Sequence, residues 1–530
     1  MGSGSGALWV FGGYLVVVFA LAWAAERMRG GSGFVSEYFL GSRNLGMWAF
    51  ALTFAATTAS GGTFIGFPAL VYANGWSVAL WIASYMMVPL VAMGLMGKRI
   101  NRVARLSGAV TVPELLEERF KNRGVGVAAT GMVVFFMFFY LLAQFKAGSK
   151  ILSTLLADEV VFQRAVVGVA SLTDGLPWVG AADADYLLCL GVFGAAVIVY
   201  VVYGGFRAVV WTDVLQGVVM FVGVVVMLVL ALQQTGGLEA ATRELAEMES
   251  AAGASMVHLR EGSNVGFLAL GTAFSFFVFW AFATGGQPGN LVRLMAFKDT
   301  GTLRRAMVTV SVYFSVVYFT LVVVFCCGRV LMPGMDDDPD RIMPALAAQL
   351  TAGAGVPWLA GLLLAAPFAA VMSSVDSFLL IVSSSVVRDI YQRRLNPDAP
   401  EAKVKRLTYL VTTAVGVLAV LAVLNPPKHL QDLIVFASGG LAGCFLVPML
   451  AALYWRRCNG QGMVWGMVGG FTMHVVLTVA GYLEAGSFKA AAPFGLEPFV
   501  WDLIGSALGV MLGSLLTKAP GKELVVKYFG

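Results

Sequence analysis

The sequence predicts an all-α polytopic membrane protein with thirteen transmembrane helices, in which two broken helices mark an inverted repeat of five plus five helices. The first observation is composition: the 530 residues are 59% hydrophobic and 12% charged, with a mean hydropathy of +0.82. Soluble chains carry about twice this charged fraction. The second is the uncharged stretch from Asn44 to Gly97, which is long enough for two crossings. The third is a pair of apolar segments interrupted by glycine, proline and hydroxyl residues.

Thirteen apolar segments reach the length of about 20 residues that a helix needs to cross the hydrocarbon core. Met1–Gly6 is excluded as a linker, whereas Ala7–Ala25 is kept as a span because basic residues follow it rather than precede it. The predicted spans, numbered in chain order, are 7–25, 47–72, 76–97, 125–155, 186–205, 208–233, 264–286, 306–330, 357–386, 407–425, 433–455, 461–483 and 496–517.

The predicted spans divide into four parts. An extra N-terminal helix covers 7–25, a first repeat of spans 2–6 covers 47–233, a second repeat of spans 7–11 covers 264–455, and two further helices cover 461–517. The offset of five spans between the two interrupted helices sets these repeat boundaries.

Basic residues are strongly biased towards one side of the predicted membrane. Of the 35 Lys and Arg, 26 lie in connections on the side that holds the C-terminus and 7 lie on the other side. The positive-inside rule therefore places the C-terminus in the cytoplasm and the N-terminus outside a plasma membrane. Among the long external connections, 158–185, 236–262 and 333–356, the second carries an apolar pattern that predicts a short surface helix.

Two spans carry clusters of residues that break helices. Span 2 contains Thr57–Thr63 (TTASGGT), and span 7 contains Ala283–Asn290 (ATGGQPGN). Unwound backbone is tolerated at membrane depth only where protein covers it or where it lines a cavity, because an unsatisfied amide in lipid is costly. Two interrupted helices at corresponding positions of two repeats predict a transporter binding site. Close helix packing at small residues is the alternative for either cluster alone.

Polar groups in spans 6 and 9 also call for an explanation. Ser373 and Ser374 in span 9 are predicted to face broken span 2, where hydroxyls and free carbonyls would offer about five oxygens to a hard cation such as sodium. Back-bonding of the hydroxyls within their own helix is the alternative. Asp376 in span 9 and Asp213 in span 6 are intramembrane carboxylates, which are costly and mark ion or proton pathways. Asp213 pairing with a cytoplasmic Arg is the alternative.

At these residues the sequence resembles the sodium/solute symporter family. Within the family it is most similar to sodium/pantothenate symporter-like members. The stretches that carry the resemblance are Ser36–Arg43 (SEYFLGSR), Gly205–Ala208 (GFRA) with Thr212 and Asp213, Leu364–Pro367 (LAAP), Ala369–Ser374 (AAVMSS) and Asn425–Pro427 (NPP).

The resemblance implies the broken-helix transporter fold of the family and a sodium site. By position, the site consists of the backbone carbonyls of Ala56, Ala59 and Ala370 and the hydroxyls of Ser373 and Ser374.

This sequence departs from the family at two ionisable positions. An aspartate that some carriers keep in broken span 2 corresponds to Thr58, so a charged sodium ligand is absent there. Asp376 occupies a position that is uncharged in several relatives. We therefore expect Asp376, with Asp213, to offer a second cation or proton site.

The resemblance also implies a solute site between the two broken helices. Trp280 matches an aromatic substrate contact of the proline carriers, whereas a tyrosine that gates the site in those carriers corresponds to Thr284. The residues at matching positions are Thr58, Thr63, Gln144, Trp280, Thr284, Gln287 and Ser438.

Together these predictions describe a sodium-coupled secondary symporter. The expected cargo is a small polar organic solute, such as pantothenate or another monocarboxylate, or an amino acid such as proline, and sodium is the co-transported ion. The lipid bilayer is the other expected partner; we expect neither nucleic acid nor an obligate protein partner. A proton-coupled transporter that uses Asp376 or Asp213 and a transporter-like nutrient sensor are the alternatives.

The sequence does not predict an enzyme. The three histidines, His258, His429 and His474, are scattered without the spacing of metal ligands. The five cysteines lie in or beside apolar runs and predict neither a disulfide framework nor a metal site.

Overall fold

The computed structural model describes residues 3–27, 34–79, 84–157, 159–176, 179, 183–248, 270–425, 430–486 and 490–529. Over these residues the chain is helical, apart from connections and an isolated bridge between Leu45 and Phe297. The α-helices are α1 (Ser3–Arg27), α2 (Phe34–Leu40), α3 (Met47–Thr58), α4 (Phe67–Asn74), α5 (Lys98–Ser107), α6 (Val112–Phe120), α7 (Arg123–Leu156), α8 (Val160–Thr173), α9 (Ala184–Gln234), α10 (Leu238–Glu247), α11 (Leu270–Phe282), α12 (Pro288–Ala296), α13 (Thr300–Leu331), α14 (Ile342–Gly353), α15 (Ala360–Ser384), α16 (Glu401–Ala422), α17 (Leu430–Tyr454), α18 (Gly460–Ala485), α19 (Pro498–Leu516) and α20 (Lys522–Phe529).

Irregular helical turns join several of these helices. Wider π-helical turns occur at Gly62–Gly66, Pro89–Gly97 and Ser385–Leu395. Tighter 3₁₀ turns occur at Gly41–Arg43, Gly75–Val78, Ser84–Met87, Ala283–Gly286, Pro339–Arg341, Pro357–Leu359 and Pro493–Gly495. Such turns often mark strained or functional points of a helix.

The described helices confirm an all-α membrane architecture. By length and composition, nine of them can cross a membrane, and the bent pair Met47–Thr58 and Gly62–Val78 makes ten. The predicted number of thirteen is not reached by this criterion, and three regions account for the difference. Span 76–97 is divided into short turns with 80–83 outside the described residues, spans 186–205 and 208–233 are joined in α9, and span 264–286 is described only from residue 270.

The joined helix α9 is broken at Gly205. Its 51 residues would measure about 77 Å if straight, more than twice the hydrocarbon thickness. Gly205 has φ 64° and ψ −174°, a conformation that is essentially restricted to glycine. A Cβ at this position would lie 2.7 Å from the Tyr38 ring. The Tyr38 hydroxyl donates to the carbonyl of Val202 at 3.1 Å, which satisfies a group near the break.

Helix α15 forms the centre of the bundle. Nearly all of its residues are buried, and it packs against α3, α7 and α9. A helix enclosed by protein on all sides keeps polar side chains away from lipid. This position is where Ser373, Ser374 and Asp376 lie.

The short helix that the sequence predicts within 236–262 is present as α10, with Ala241 and Leu245 buried against the bundle. The rest of that predicted connection, from residue 249 to 262, lies outside the described residues.

The two C-terminal helices are tied to α17 by a buried ionisable pair. His474 Nδ1 lies 2.7 Å from Asp502 Oδ2, and His474 Nε2 lies 2.9 Å from the carbonyl oxygen of Phe436. These contacts connect α17, α18 and α19. They also give a partner to Asp502, a carboxylate near the start of the apolar helix α19. Backbone contact is close here as well, since a Cβ on Gly470 would lie 2.2 Å from the carbonyl oxygen of Gly443.

We expect Gly205→Ala to lower the thermal unfolding midpoint of the purified protein, because alanine is strained at this φ and its Cβ meets the Tyr38 ring. The strain alone costs about 1–3 kcal/mol. Gly191→Ala is the matched control, since its Cβ meets nothing within 4 Å on the same helix, and we expect it to be neutral or stabilising. Equal midpoints for the two variants would contradict the interpretation of Gly205.

Candidate functional site

The first broken helix is interrupted where the sequence predicts. Helix α3 ends at Thr58, and Ala59 is extended with φ −77° and ψ 119°. The axes of the two halves bend by 60°. The break needs small residues because a Cβ on Gly61 would lie 2.9 Å from both Gln144 Oε1 and the Ala147 Cβ. The chain can therefore approach α7 closely at this point.

The second broken helix is interrupted in a similar way. Helix α11 ends at Phe282, the 3₁₀ turn Ala283–Gly286 follows, and extended Gln287 (φ −81°, ψ 117°) precedes α12. Proline at the first position of α12 suits a new helix start, since its missing N–H would have no partner there. A Cβ on Gly286 would lie 2.7 Å from Ala442 Cα, so this break packs directly on the backbone of α17.

A small cavity lies between the two breaks. Its volume is about 30 Å³, enough for little more than a water molecule. Five of the predicted solute-site residues line it, namely Thr58, Trp280, Thr284, Gln287 and Ser438. None of the described residues in its wall is charged. The other lining residues are Thr57, Tyr85, Tyr140, Ala283, Gly289, Asn290 and Phe378.

Sequence analysis missed the aromatic side of this cavity. Tyr140 and Phe378 come from continuous helices, and Tyr85 lies in the short turn Ser84–Met87, which no cluster of helix-breaking residues marks in the sequence. The Tyr85 ring stacks on Trp280 with 5.4 Å between ring centroids. Helical spacing did contain a signal, because Tyr140 precedes Gln144 by four residues and therefore shares its helix face.

The structure places the other two predicted solute residues beside the first break, outside the cavity wall. Gln144 Oε1 accepts a hydrogen bond from the backbone N–H of Gly61 at 2.8 Å. The Thr63 hydroxyl lies 3.0 Å from the Tyr318 hydroxyl. Both side chains are buried. In this conformation Gln144 provides the hydrogen-bond acceptor for a backbone N–H of the interrupted segment, and Thr63 connects that segment to Tyr318.

Of the predicted sodium ligands, the Ser373 hydroxyl and the Ala56 carbonyl meet between α15 and α3. The Ser373 hydroxyl donates to the carbonyl of Ala56 at 2.9 Å and is 3.1 Å from the carbonyl of Ala370. The Ser374 hydroxyl donates to the carbonyl of Ala370 at 3.1 Å, which is the back-bonding within its own helix that the sequence left as the alternative. Helix ends leave their last carbonyls without helical partners, which accounts for the availability of Ala56. Ala59 follows in extended backbone, just beyond the helix end.

Arg293 and Asp213 form a buried ion pair near this cluster. Arg293 Nη2 donates to Asp213 Oδ2 at 2.8 Å, and both side chains are at most 2% exposed. The guanidinium also donates to the Thr53 hydroxyl at 2.8 Å, the Ser377 hydroxyl at 2.9 Å and the Gly289 carbonyl at 3.1 Å. Asp213 does pair with an arginine, and that arginine lies in the second broken helix. The sequence had placed Arg293 with the basic residues of a cytoplasmic connection.

Asp376 of α15 extends this network towards Tyr200 of α9. Its carboxylate accepts hydrogen bonds from the Tyr200 hydroxyl and, at 3.2 Å, from the Ser377 hydroxyl. Ser377 in turn contacts Arg293. Two carboxylates are thus linked to one guanidinium, Asp213 by a direct ion pair and Asp376 through the Ser377 hydroxyl. Ionised together, these three groups carry one negative charge in excess.

Two lysines of α7, Lys146 and Lys150, form ion pairs with carboxylates. The sequence predicts that Lys146 and Lys150 extend to the outer membrane interface, or attract an anion there. Instead, Lys146 is buried and pairs with Asp340 at 3.2 Å, and Lys150 pairs with Asp338 at 2.6 Å. Both carboxylates come from the connection between α13 and α14.

Metal-ligand clusters are not found in the part of the chain that the structure describes. No group of three or more His, Cys, Asp or Glu is arranged there to hold a metal ion. The five cysteines are buried free thiols. Of the three histidines, His258 and His429 lie outside the described residues, and His474 pairs with Asp502.

Comparison with known sequences covers nearly the whole chain. A family model described as "Sodium:solute symporter family" matches residues 38–176 and 178–470. The sodium/pantothenate symporter of Escherichia coli (strain K12) is 30% identical over 508 residues, which cover 94% of this chain and 94% of the relative. The osmoregulated proline transporter OpuE of Bacillus subtilis (strain 168) is 27% identical over 517 residues, covering 96% and 94%.

Solved structures show the same architecture. A Na⁺-coupled sialic acid symporter in a substrate-bound, outward-open state aligns with a TM-score of 0.68 at 17% identity, covering 98% of this chain and 99% of that chain. Mhp1, a nucleobase-cation-symport-1 family transporter in a closed conformation, aligns with a TM-score of 0.54 at 15% identity, covering 93% and 97%. At these identities the similarity shows the fold alone.

Proposed function

Because this chain belongs to the sodium:solute symporter family, we propose that it imports a small polar organic solute together with sodium by alternating access. The observation that carries the proposal is the uncharged polar cavity between two broken helices, beside the contact of Ser373 with Ala56. One charge crossing about 100 mV of membrane potential releases about 2.3 kcal/mol. That energy supports roughly a fifty-fold accumulation of solute before a sodium concentration gradient is added.

The topology that we propose has thirteen spans, with two repeats over 47–233 and 264–455. It counts α9 as two crossings separated by Gly205, and adds the segments at 76–97 and 264–286 to the ten spans that length and composition identify. The bias of basic residues supports a cytoplasmic C-terminus and an external N-terminus in the plasma membrane.

Our proposed sodium ligands are the carbonyls of Ala56, Ala59 and Ala370 and the hydroxyls of Ser373 and Ser374. The support is that Ser373 already bridges α15 to the freed carbonyl of α3. Hydroxyl and carbonyl oxygens suit a hard cation, which would accept the oxygen lone pairs while the hydroxyl protons turn elsewhere. Sodium bound here would tie α3 to α15.

For the solute we propose a carboxylate such as pantothenate or another monocarboxylate, or an amino acid such as proline. Two relatives named as sodium/pantothenate symporters are 30% identical to the chain. The cavity offers hydroxyls and amides, and the N-terminal turn of α12 enters its wall at Gly289 and Asn290. The dipole of α12 favours a carboxylate at such a turn without a charged side chain.

Within this site we propose two kinds of role. Thr58, Trp280, Thr284, Gln287 and Ser438 contact the solute, since they line the cavity. Thr63 and Gln144 act as positioning residues, because they hold the first break through Tyr318 and the N–H of Gly61.

We also propose Asp376 and Asp213 as a second cation or proton site. The support is the charge balance of the buried network, in which one guanidinium, that of Arg293, faces two carboxylates. An uncompensated buried charge is costly. A sodium ion or a proton taken up beside Asp376 would remove that cost.

The proposed function predicts sodium-linked solute binding. In a thermal-shift screen of purified protein against vitamins, amino acids, sugars and short carboxylates, we expect one class to raise the unfolding midpoint only when sodium is present. Uptake by proteoliposomes should follow an imposed sodium gradient without a pH gradient. Uptake that follows the pH gradient alone would favour the proton-coupled alternative and contradict sodium coupling.

Removing both proposed hydroxyl ligands should weaken sodium binding specifically. We expect Ser373→Ala with Ser374→Ala to raise the sodium concentration for half-maximal uptake at least tenfold, since two of about five ligand oxygens are lost. The matched control is Ser383→Ala with Ser384→Ala. These two serines are an adjacent buried pair on the same helix, and their hydroxyls donate to the carbonyls of Leu380 and Ile381. Sodium dependence that is equal in the two double variants would refute the assignment.

Neutralising Asp376 should change how many ions accompany each solute. We expect Asp376→Asn to lower the coupled charge by one, because the surplus negative charge of the network disappears. The reversal potential of solute-dependent currents in proteoliposomes reports this ratio. Tyr200→Phe, which keeps the carboxylate and removes its hydroxyl partner, should leave the ratio unchanged. If the aspartate variant keeps the wild-type ratio, Asp376 is not a second site.

A further inference from the structure

A larger cavity lies away from the transport site, at the end of the segment Pro89–Gly97. Its volume is about 330 Å³, within the usual range of ligand pockets of about 300–1,000 Å³. Three basic residues of α5 line it, Lys98, Arg99 and Arg102, and no described residue in its wall is acidic. The remaining walls come from the end of α17 and from α20. The chemistry of the cavity therefore favours an anion.

Neutral groups hold Arg99 at the cavity wall. Its Nη1 donates to the carbonyl of Leu453 at 2.9 Å, and its guanidinium lies 4.1 Å from the ring centroid of Tyr454. The Tyr454 hydroxyl donates to the carbonyl of Leu95. Among the residues that the structure describes, neither Arg99 nor Lys98 forms an ion pair. The geometry fixes a cationic group without neutralising its charge.

A buried arginine lies directly behind this wall. Arg119 is 1% exposed, and its Nε donates to the carbonyl of Ala452 at 3.2 Å. Neither Nη1 nor Nη2 has a hydrogen-bond partner among the described residues. The guanidinium lies 5.0 Å from the ring centroids of both Tyr528 and Phe529, which line the cavity. Since arginine keeps its charge in proteins, an anion in the cavity would offset a costly buried cation.

Exposed apolar side chains continue from the cavity along one face of the same segment. Leu95 lines the cavity and is 40% exposed, and Leu90 is 48% exposed. On α20, Val526 is 70% exposed. A free anion would leave this apolar surface uncovered, whereas acyl chains would cover it.

We propose that this cavity binds the phosphate headgroup of an anionic phospholipid, with Lys98, Arg99 and Arg102 around the phosphate and the acyl chains along Leu95 and Leu90. The leaflet follows from the proposed orientation, which places α5 and α20 on the cytoplasmic side, where anionic lipids are concentrated. The site is separate from the sodium and solute sites.

The experiment titrates phosphatidylglycerol into the full chain purified in a neutral detergent and follows the thermal unfolding midpoint. We expect a saturable rise for the wild-type chain, and no rise with phosphatidylcholine. In Lys98→Gln with Arg99→Gln, the lipid concentration for half-maximal effect should increase about 25-fold, since each basic residue contributes about fivefold. The same titration in phosphatidylcholine nanodiscs excludes an effect of the detergent.

Arg304→Gln with Arg305→Gln is the matched control. It removes the same charge from two exposed arginines at the start of α13, on the same proposed side of the membrane. The control variant should keep the wild-type response to phosphatidylglycerol. An equal loss in both double variants, or an unchanged response in the cavity variant, would overturn the site. Saturable stabilisation by inorganic phosphate without lipid would overturn the lipid assignment in favour of a free phosphate compound.

Discussion

The arrangement of this protein depends on satisfying backbone groups that broken helices expose at membrane depth. At the first break, the N–H of Gly61 is paired with Gln144 of α7 and the carbonyl of Ala56 is paired with Ser373 of α15. Without such partners, each group would cost several kcal/mol in a lipid environment. The helices around the break are therefore fixed by its hydrogen bonds, and the same hydroxyl and carbonyl oxygens are the ligands of the proposed sodium site.

Buried charges follow the same rule, because each must find its partner inside the bundle. Arg293 lies in the second broken helix and pairs with Asp213 in α9. This ion pair connects the two proposed repeats. Lys146 in α7 pairs with Asp340 from the connection after α13. Removing one partner of such a pair leaves an uncompensated charge and costs about 3–5 kcal/mol. Asp376 departs from the rule, because its hydrogen-bond donors are the hydroxyls of Tyr200 and Ser377 and not a cationic side chain.

Sequence patterns predicted the parts of this site that local chemistry determines. Clusters of glycine, proline and hydroxyl residues located both breaks, and of the two adjacent serines predicted to face α3, Ser373 contacts it through the carbonyl of Ala56. What sequence patterns left open was the register between helices distant in the chain. Gln144, which the resemblance places at the solute, bonds a backbone amide of the first break, and Arg293, which falls between two predicted spans, lies in α12. The boundary predicted between the spans 186–205 and 208–233 coincides with the kink at Gly205, whereas its continuous helical hydrogen bonding was not predicted.

The proposed sodium and solute sites lie close together along the chain, which gives a physical basis for coupling between the ion and the solute. Ala56, a proposed sodium ligand, precedes Thr57 and Thr58 of the cavity wall, so a single interrupted segment contributes to both. Sodium that orders this segment lowers the entropy that the solute must lose on binding. Linkage makes the effect reciprocal, so the solute raises sodium affinity by the same factor. The cavity is too small for the solute in this conformation, and the helices must separate to admit it. In the proposed mechanism, an ion that joins α3 to α15 determines which arrangement of the break the solute meets.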